Sequence, residues 1–247
     1  MIASEVTPFA KTGGLADVLG TLSVALARLG HEVCVIAPAY RSALQGGFVL
    51  REMPDKLSVA LADRRQEATV LEGSIDNRAT VYLLRADAYF DREFLYGPPS
   101  GDYPDNSERF SFFSRAALEL LRRERVDIVH GHDWQTALAI VFLKAQPARY
   151  PELAAAKTVF TVHNLGFQGI FGPPDWRLLD LDASFFTPQF LDFYGNINFL
   201  KGALVFADKL STVSPSYARE IMSTEQGFGL EGVLRETHAH PQPIDAA

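Results

Sequence analysis

The sequence predicts an α/β fold of the doubly wound, Rossmann-like kind: a parallel sheet with helices packed on it. Three observations predict it. Short, continuous apolar runs stopped by turn residues, such as residues 33–37 before Pro38, read as strands buried on both faces. A strongly periodic helical stretch precedes that run, as expected for a strand–helix–strand unit with a right-handed crossover. Polar clusters follow three of the apolar runs directly, at the carboxyl strand ends where open α/β sheets bind ligands.

Taken in order, residues 1–4 supply only the last part of a strand. From Gly13 onward, Leu15, Val18, Leu19, Leu22, Leu26 and Leu29 follow the i, i+3, i+4, i+7 spacing of an amphipathic helix, and Gly30 ends it. Gly13 and Gly14 let the backbone approach a ligand closely, and the unpaired first-turn amides favour an anion. Lys11 adds a positive charge just before them, so the stretch reads as a phosphate site. The same residues also fit a plain strand-to-helix turn with a solvated lysine, and Asp17 in the first turn suits both readings.

Residues 48–87 predict a β-rich insertion, with 70–75 and 80–84 forming a hairpin around Asp76-Asn77-Arg78. Residues 96–106, containing Gly97-Pro98-Pro99-Ser100-Gly101, read as a loop; Phe110, Phe113, Ala117, Leu118 and Leu121 then mark a helix from about Ser107. Further buried strands are predicted at 126–130, 158–162 and 209–213, followed by His132-Asp133-Trp134, His163-Asn164 and Ser214-Pro215-Ser216. Three polar clusters at three such ends predict one shared site. Trp134 and Phe167 read as core residues, with stacking on a bound ligand as the alternative, and residues 238–243 as an irregular tail.

Composition narrows the function classes. With 47% hydrophobic residues among 247, the chain can build a sizeable core. A net charge of −7 without a long basic run argues against nucleic acid. No apolar run approaches the ~18 residues of a membrane span. The single cysteine, Cys34, excludes an intramolecular disulfide, reads as a small core residue and suits a reducing compartment. With no signal segment at the start, the expected location is the cytoplasm, or a plastid for a plant protein without its transit peptide.

The chemistry narrows further. A nucleophile elbow, a dinucleotide fingerprint and a phosphate-loop motif are all missing from the sequence. His130, His132 and Asp133 are metal-ligand types, but they lack a distant third partner, and His130 reads as a packed strand-end residue. Asp180-Leu181-Asp182 does not clearly follow a strand and reads as a surface loop.

Five stretches, in order, carry a family resemblance: Lys11-Thr12-Gly13-Gly14-Leu15-Ala16-Asp17-Val18, His130-Gly131-His132-Asp133-Trp134, Phe160-Thr161-Val162-His163-Asn164-Leu165, Phe199-Leu200-Lys201-Gly202-Ala203 and residues 212–221. The chain resembles bacterial glycogen synthases and plant starch synthases. That resemblance implies a two-domain B-type glycosyltransferase. It would move glucose from ADP-glucose to the non-reducing end of an α-1,4-glucan (glycogen, amylose or a maltooligosaccharide), with retention and without a metal or other cofactor. The match covers the N-terminal, acceptor-side domain, taken as one domain over residues 1–247 with its first strand clipped; the C-terminal nucleotide-binding domain is outside it. By resemblance Lys11 contacts donor phosphate or glucose, Gly14 shapes the pocket near the diphosphate, and Asp17 is a weaker carry-over. Asp133 would lie near the anomeric carbon, His163 and Asn164 would hold the transferring glucose, and Tyr103 would line the cleft. In the alternative reading of Trp134 and Phe167, the stacked ligand would be the glucan. A non-catalytic glucan-binding module and a B-type transferase for another acceptor are the alternative readings.

Overall fold

The computed structural model describes residues 1–239 and the short strand at 245–246, and it divides into two compact units, Met1–Leu120 and Leu121–Ala247. In the first, helix α1 spans Gly14–Arg28 and buries Leu15, Ala16, Leu19 and Val24. Its end is a Schellman turn: Gly30 at φ +93° donates to the Ala27 carbonyl and His31 donates to that of Leu26. Strand β1, Cys34–Pro38, is buried over its last four residues, while Cys34 itself is only half-buried. The helix α2, Arg41–Gln45, and strands β2, Arg51–Glu52, β3, Leu57–Leu61, β4, Arg64–Ile75, and β5, Ala79–Arg85, follow. Ile2 pairs in parallel with Ile36, so the opening residues do enter the sheet.

The predicted hairpin is present, and its turn holds Asp76 and Asn77 at φ near +50°, a conformation those side chains tolerate. Its second arm is not an appendage. Strand β5 pairs in parallel with β1 from Cys34↔Thr80 to Pro38↔Leu84, so the sheet order is β1-β5-β4-β2, with β3 on the outer part of β4. A partner 46 residues away in register decides this (Thr80 against Cys34), which local pattern cannot register. Two helices close the unit, α3, Asp87–Phe90, and α4, Asn106–Leu121, the latter burying Phe110, Phe112, Phe113 and Leu118.

The second unit carries strand β6, Ile128–His132, helix α5, Trp134–Ala145, and strand β7, Lys157–Val162. A small antiparallel group follows: β8, Ile170–Phe171, helix α6, Trp176–Leu179, β9, Asp192–Phe193, and β10, Asn196–Asn198. Helix α7, Phe199–Phe206, strand β11, Lys209–Thr212, and helices α8, Pro215–Glu220, and α9, Glu231–Ala239, complete it, with β12, Asp245–Ala246, at the edge. Strands β6, β7, β11 and β12 are parallel in the order β12-β11-β7-β6. This is the predicted doubly wound connectivity, with helices returning between parallel strands. Helix α5 is buried from Trp134 to Leu143, and α7 approaches it at Gly202, where a Cβ would stand 2.8 Å from Val141.

Strand β6 ends two residues later than its apolar run suggests. Its ladder with β7 runs from Ile128↔Lys157 to His132↔Thr161, so the polar His130-Gly131-His132 belongs to the strand. Asp180-Leu181-Asp182 does follow a short helix rather than a strand, with Asp180 left-handed at φ +49°. Of the tail expected to be irregular, His238 and Ala239 lie in α9, and residues 240–243 lie outside the described residues.

Candidate functional site

The sequence-predicted residues fall into two clusters, one in each unit. In the first, the loop before α1 folds around a buried carboxylate that the sequence reading missed. Glu5 is 3% exposed and accepts hydrogen bonds from the Thr12 amide, Thr12 Oγ1 at 2.6 Å, the Gly13 amide at 3.3 Å and the Tyr96 hydroxyl at 2.6 Å. Two amides that a bare glycine turn would offer to an incoming anion are therefore already occupied by an internal one. In front of Gly13 and Gly14 the space is open, since a Cβ on either would meet nothing within 4 Å. Gly20 lets α1 lie against this loop; a Cβ there would stand 3.1 Å from the Thr7 carbonyl oxygen.

Lys11 is not the isolated cation expected. Its Nζ lies 2.8 and 2.7 Å from the two carboxylate oxygens of Asp17, and Thr7 Oγ1 donates to Asp17 at 3.2 Å. The hydrogen bond from Lys11 holds the Asp17 carboxyl below the usual carboxylate range. Both side chains are about half exposed (53% and 52%), so a stronger anion can reach the ammonium. Tyr103 is half-buried, its ring centroid 4.6 Å from the Arg92 guanidinium and 5.0 Å from that of Arg109. Its amide donates to the Tyr96 carbonyl, and Tyr96 reaches Glu5, so one network links Tyr103 to the Lys11 loop.

The second cluster is tighter. Asp133 follows β6 at φ +57°, ψ 177°, a backbone conformation L residues rarely adopt. Its Oδ1 accepts from the amides of His163 at 2.7 Å and Asn164 at 3.4 Å, tying the ends of β6 and β7 together. Thr136 supports the turn, donating its hydroxyl to the His132 carbonyl at 2.9 Å. Asn164 is exposed and its Oδ1 accepts from the Gly166 amide. Behind Asp133 stand three histidines. His132 Nδ1 lies 3.0 Å from His163 Nε2, the His130 and His132 rings are 4.0 Å apart, and His130 Nε2 meets Thr161 Oγ1 at 2.6 Å.

Burial keeps these imidazoles neutral. It pushes His130 down to about 3 and His163 down to about 4, and His132 lies well below the ordinary histidine value. Neutral imidazole and carboxamide groups both donate and accept, which suits hydroxyl-rich ligands. Among the described residues no three His, Cys, Asp or Glu side chains are grouped to hold a metal ion.

The structure thus brings Asp133, His163 and Asn164 together, and separately brings Lys11, Gly14 and Asp17 together with Tyr103 one network away. Sequence reasoning assigned no role to Glu5, Tyr96 or Thr161, and no local signal marks them. It took His132 as a metal-ligand type at a strand end, not as the partner of His163. Trp134 is core as expected, packed over Gly169, whereas Phe167 is 66% exposed and not core.

Parallel α/β sheets with polar residues at the carboxyl strand ends are shared by several enzyme classes, and glycosyltransferases of the B type are one of them. Residues 1–236 match the family described as the starch synthase catalytic domain, and the chain belongs to that family. Glycogen synthase 2 of Geobacter sulfurreducens is 45% identical over 236 residues, covering 95% of this chain and 49% of that protein. The glycogen synthase of Koribacter versatilis is 48% identical over 238 residues, covering 94% and 48%. Among solved structures, the catalytic domain of starch synthase IV from Arabidopsis thaliana bound to ADP and acarbose matches with a TM-score of 0.87 and 31% identity. It covers 99% of this chain and 50% of that one. The chain spans about half the length of the curated relatives it matches.

Proposed function

We propose that this chain is the acceptor-side part of a retaining, metal-independent glucosyltransferase that extends an α-1,4-glucan from ADP-glucose. The observation that carries the reading is the Asp133–His163–Asn164 cluster at the ends of β6 and β7, in a chain whose relatives are glycogen synthases. In this reading Asp133 lies near the anomeric carbon, and His163 and Asn164 hold the hydroxyls of the transferring glucose. Lys11 turns from Asp17 toward the donor phosphates, where negative charge grows as the diphosphate leaves. The open face of Gly13 and Gly14 admits the diphosphate, and Tyr103 steadies that loop through Tyr96. No cofactor is assigned, since ADP-glucose is itself a substrate. The donor nucleotide is bound largely by residues beyond this chain. The single cysteine, unpaired, supports a cytoplasmic location.

The test uses the purified chain with maltoheptaose and either ADP-glucose or UDP-glucose, reading product masses and calorimetric binding. Saturable maltoheptaose binding without single-hexose elongation is the expected result. Absence of any maltoheptaose binding would overturn the acceptor-side assignment, and elongation by this chain alone would overturn its dependence on a further part.

A further inference from the structure

The structure assigns His132 as a positioning residue that sets the tautomer of His163. His132 is fully buried at the end of β6, between the rings of His130 and His163. Its Nδ1 lies 3.0 Å from His163 Nε2, and its own Nε2 is buried with no hydrogen-bond partner.

Two neutral imidazoles carry one N–H each, and this contact needs one donor and one acceptor. If His163 donated from Nε2, His132 would carry its proton on its other nitrogen. That would bury an N–H with no acceptor, the rarer kind of orphan in folded proteins. If His132 donates from Nδ1, only a lone pair is left unpartnered. The second arrangement prevails, so His163 accepts at Nε2 and carries its proton on Nδ1. Imidazole in water prefers the opposite placement, so the neighbour imposes this one.

The consequence reaches the surface. Among the described residues His163 Nδ1 has no hydrogen-bond partner, and the backbone of His163 is fixed by Asp133. His163 therefore presents a fixed N–H donor, suited to a hydroxyl oxygen. That this oxygen belongs to the transferring glucose rests on the function proposed above; the tautomer does not.

The decisive measurement is a long-range 1H–15N correlation spectrum of the 15N-histidine-labelled chain at neutral pH, its six histidines assigned by substitution. Protonated Nδ1 and bare Nε2 on His163 are expected. Protonated Nε2 would overturn the assignment. In His132→Leu the His163 signal should move toward the Nε2–H form; no change would also overturn it. Should that variant not fold, the spectrum of the unaltered chain decides alone, since protonated Nε2 on His163 there already overturns the assignment. Failed maltoheptaose binding would sink the proposed function and leave this spectrum unaffected.

Discussion

Asp133 shows how much one residue can hold. Its position just past a buried strand marks it as a candidate from the sequence, but its backbone strain is visible only in the fold. At φ +57° and ψ 177° the residue sits where glycine is at ease and a Cβ is not, at a cost of about 1–3 kcal/mol. The carboxylate offsets that cost by accepting from the amides of His163 and Asn164. Two substitutions separate the effects. Asp133→Ala keeps the strain and loses the bonds, whereas Asp133→Gly loses both. The glycine variant should therefore be more stable than the alanine variant by about 1 kcal/mol in urea unfolding. Equal or reversed stabilities would show that the backbone there is not strained.

At the scale of elements, Asp208 joins three of them in the second unit. It precedes β11, and its Oδ2 accepts from Lys144 Nζ of α5 at 2.6 Å and from the Thr158 amide and hydroxyl of β7 at 2.7 and 2.9 Å. Burial pushes its carboxyl up, but the bonds from Lys144 and Thr158 outweigh this and hold it below the usual range. Thr158 is fully buried, so Asp208→Ala strands two of its donors and an ammonium. A loss of about 2–3 kcal/mol is expected, with Asp208→Asn, which still accepts from Thr158, losing clearly less. The strands themselves were legible as apolar runs, but this clasp was not, because its members are 50 and 64 residues apart.

For the molecule as a whole, the buried histidines make stability depend on pH. His130, His132 and His163 stay neutral in the folded chain, with values lowered from 6.5 to about 3 for His130 and about 4 for His163. Below about pH 6.5 the unfolded chain binds protons that the folded chain does not, so stability falls as pH drops toward 4 and is complete above 6.5. Each histidine can contribute a slope of up to about 1.4 kcal/mol per pH unit. The lowered carboxyls of Asp17 and Asp208 act in the same direction at more acid pH, their stabilising bonds being lost as they protonate. Both tryptophans, Trp134 and Trp176, lie in the second unit, so their fluorescence follows its unfolding. The urea midpoint so measured should drop from pH 7 to pH 5, and more steeply than in His132→Asn. A flat profile would show that the histidines titrate normally.

The sequence by itself determined α1, its glycine stop, the hairpin turn, the parallel strands and the positions of Asp133, His163 and Asn164. Each of these follows from a period, a cap or a strand end, and such signals lie within a few residues of one another. Only the tertiary structure decided that β5 completes a parallel pair, that Glu5 fills the loop before α1, that Asp17 holds Lys11 and that His132 grips His163. Hydrogen bonds are chosen by what folding brings within 3 Å, and Tyr96 meets Glu5 across 91 residues of chain while His132 meets His163 across 31. Burial then keeps His132 and His163 neutral, because a charged imidazole loses its water only when the fold closes around it.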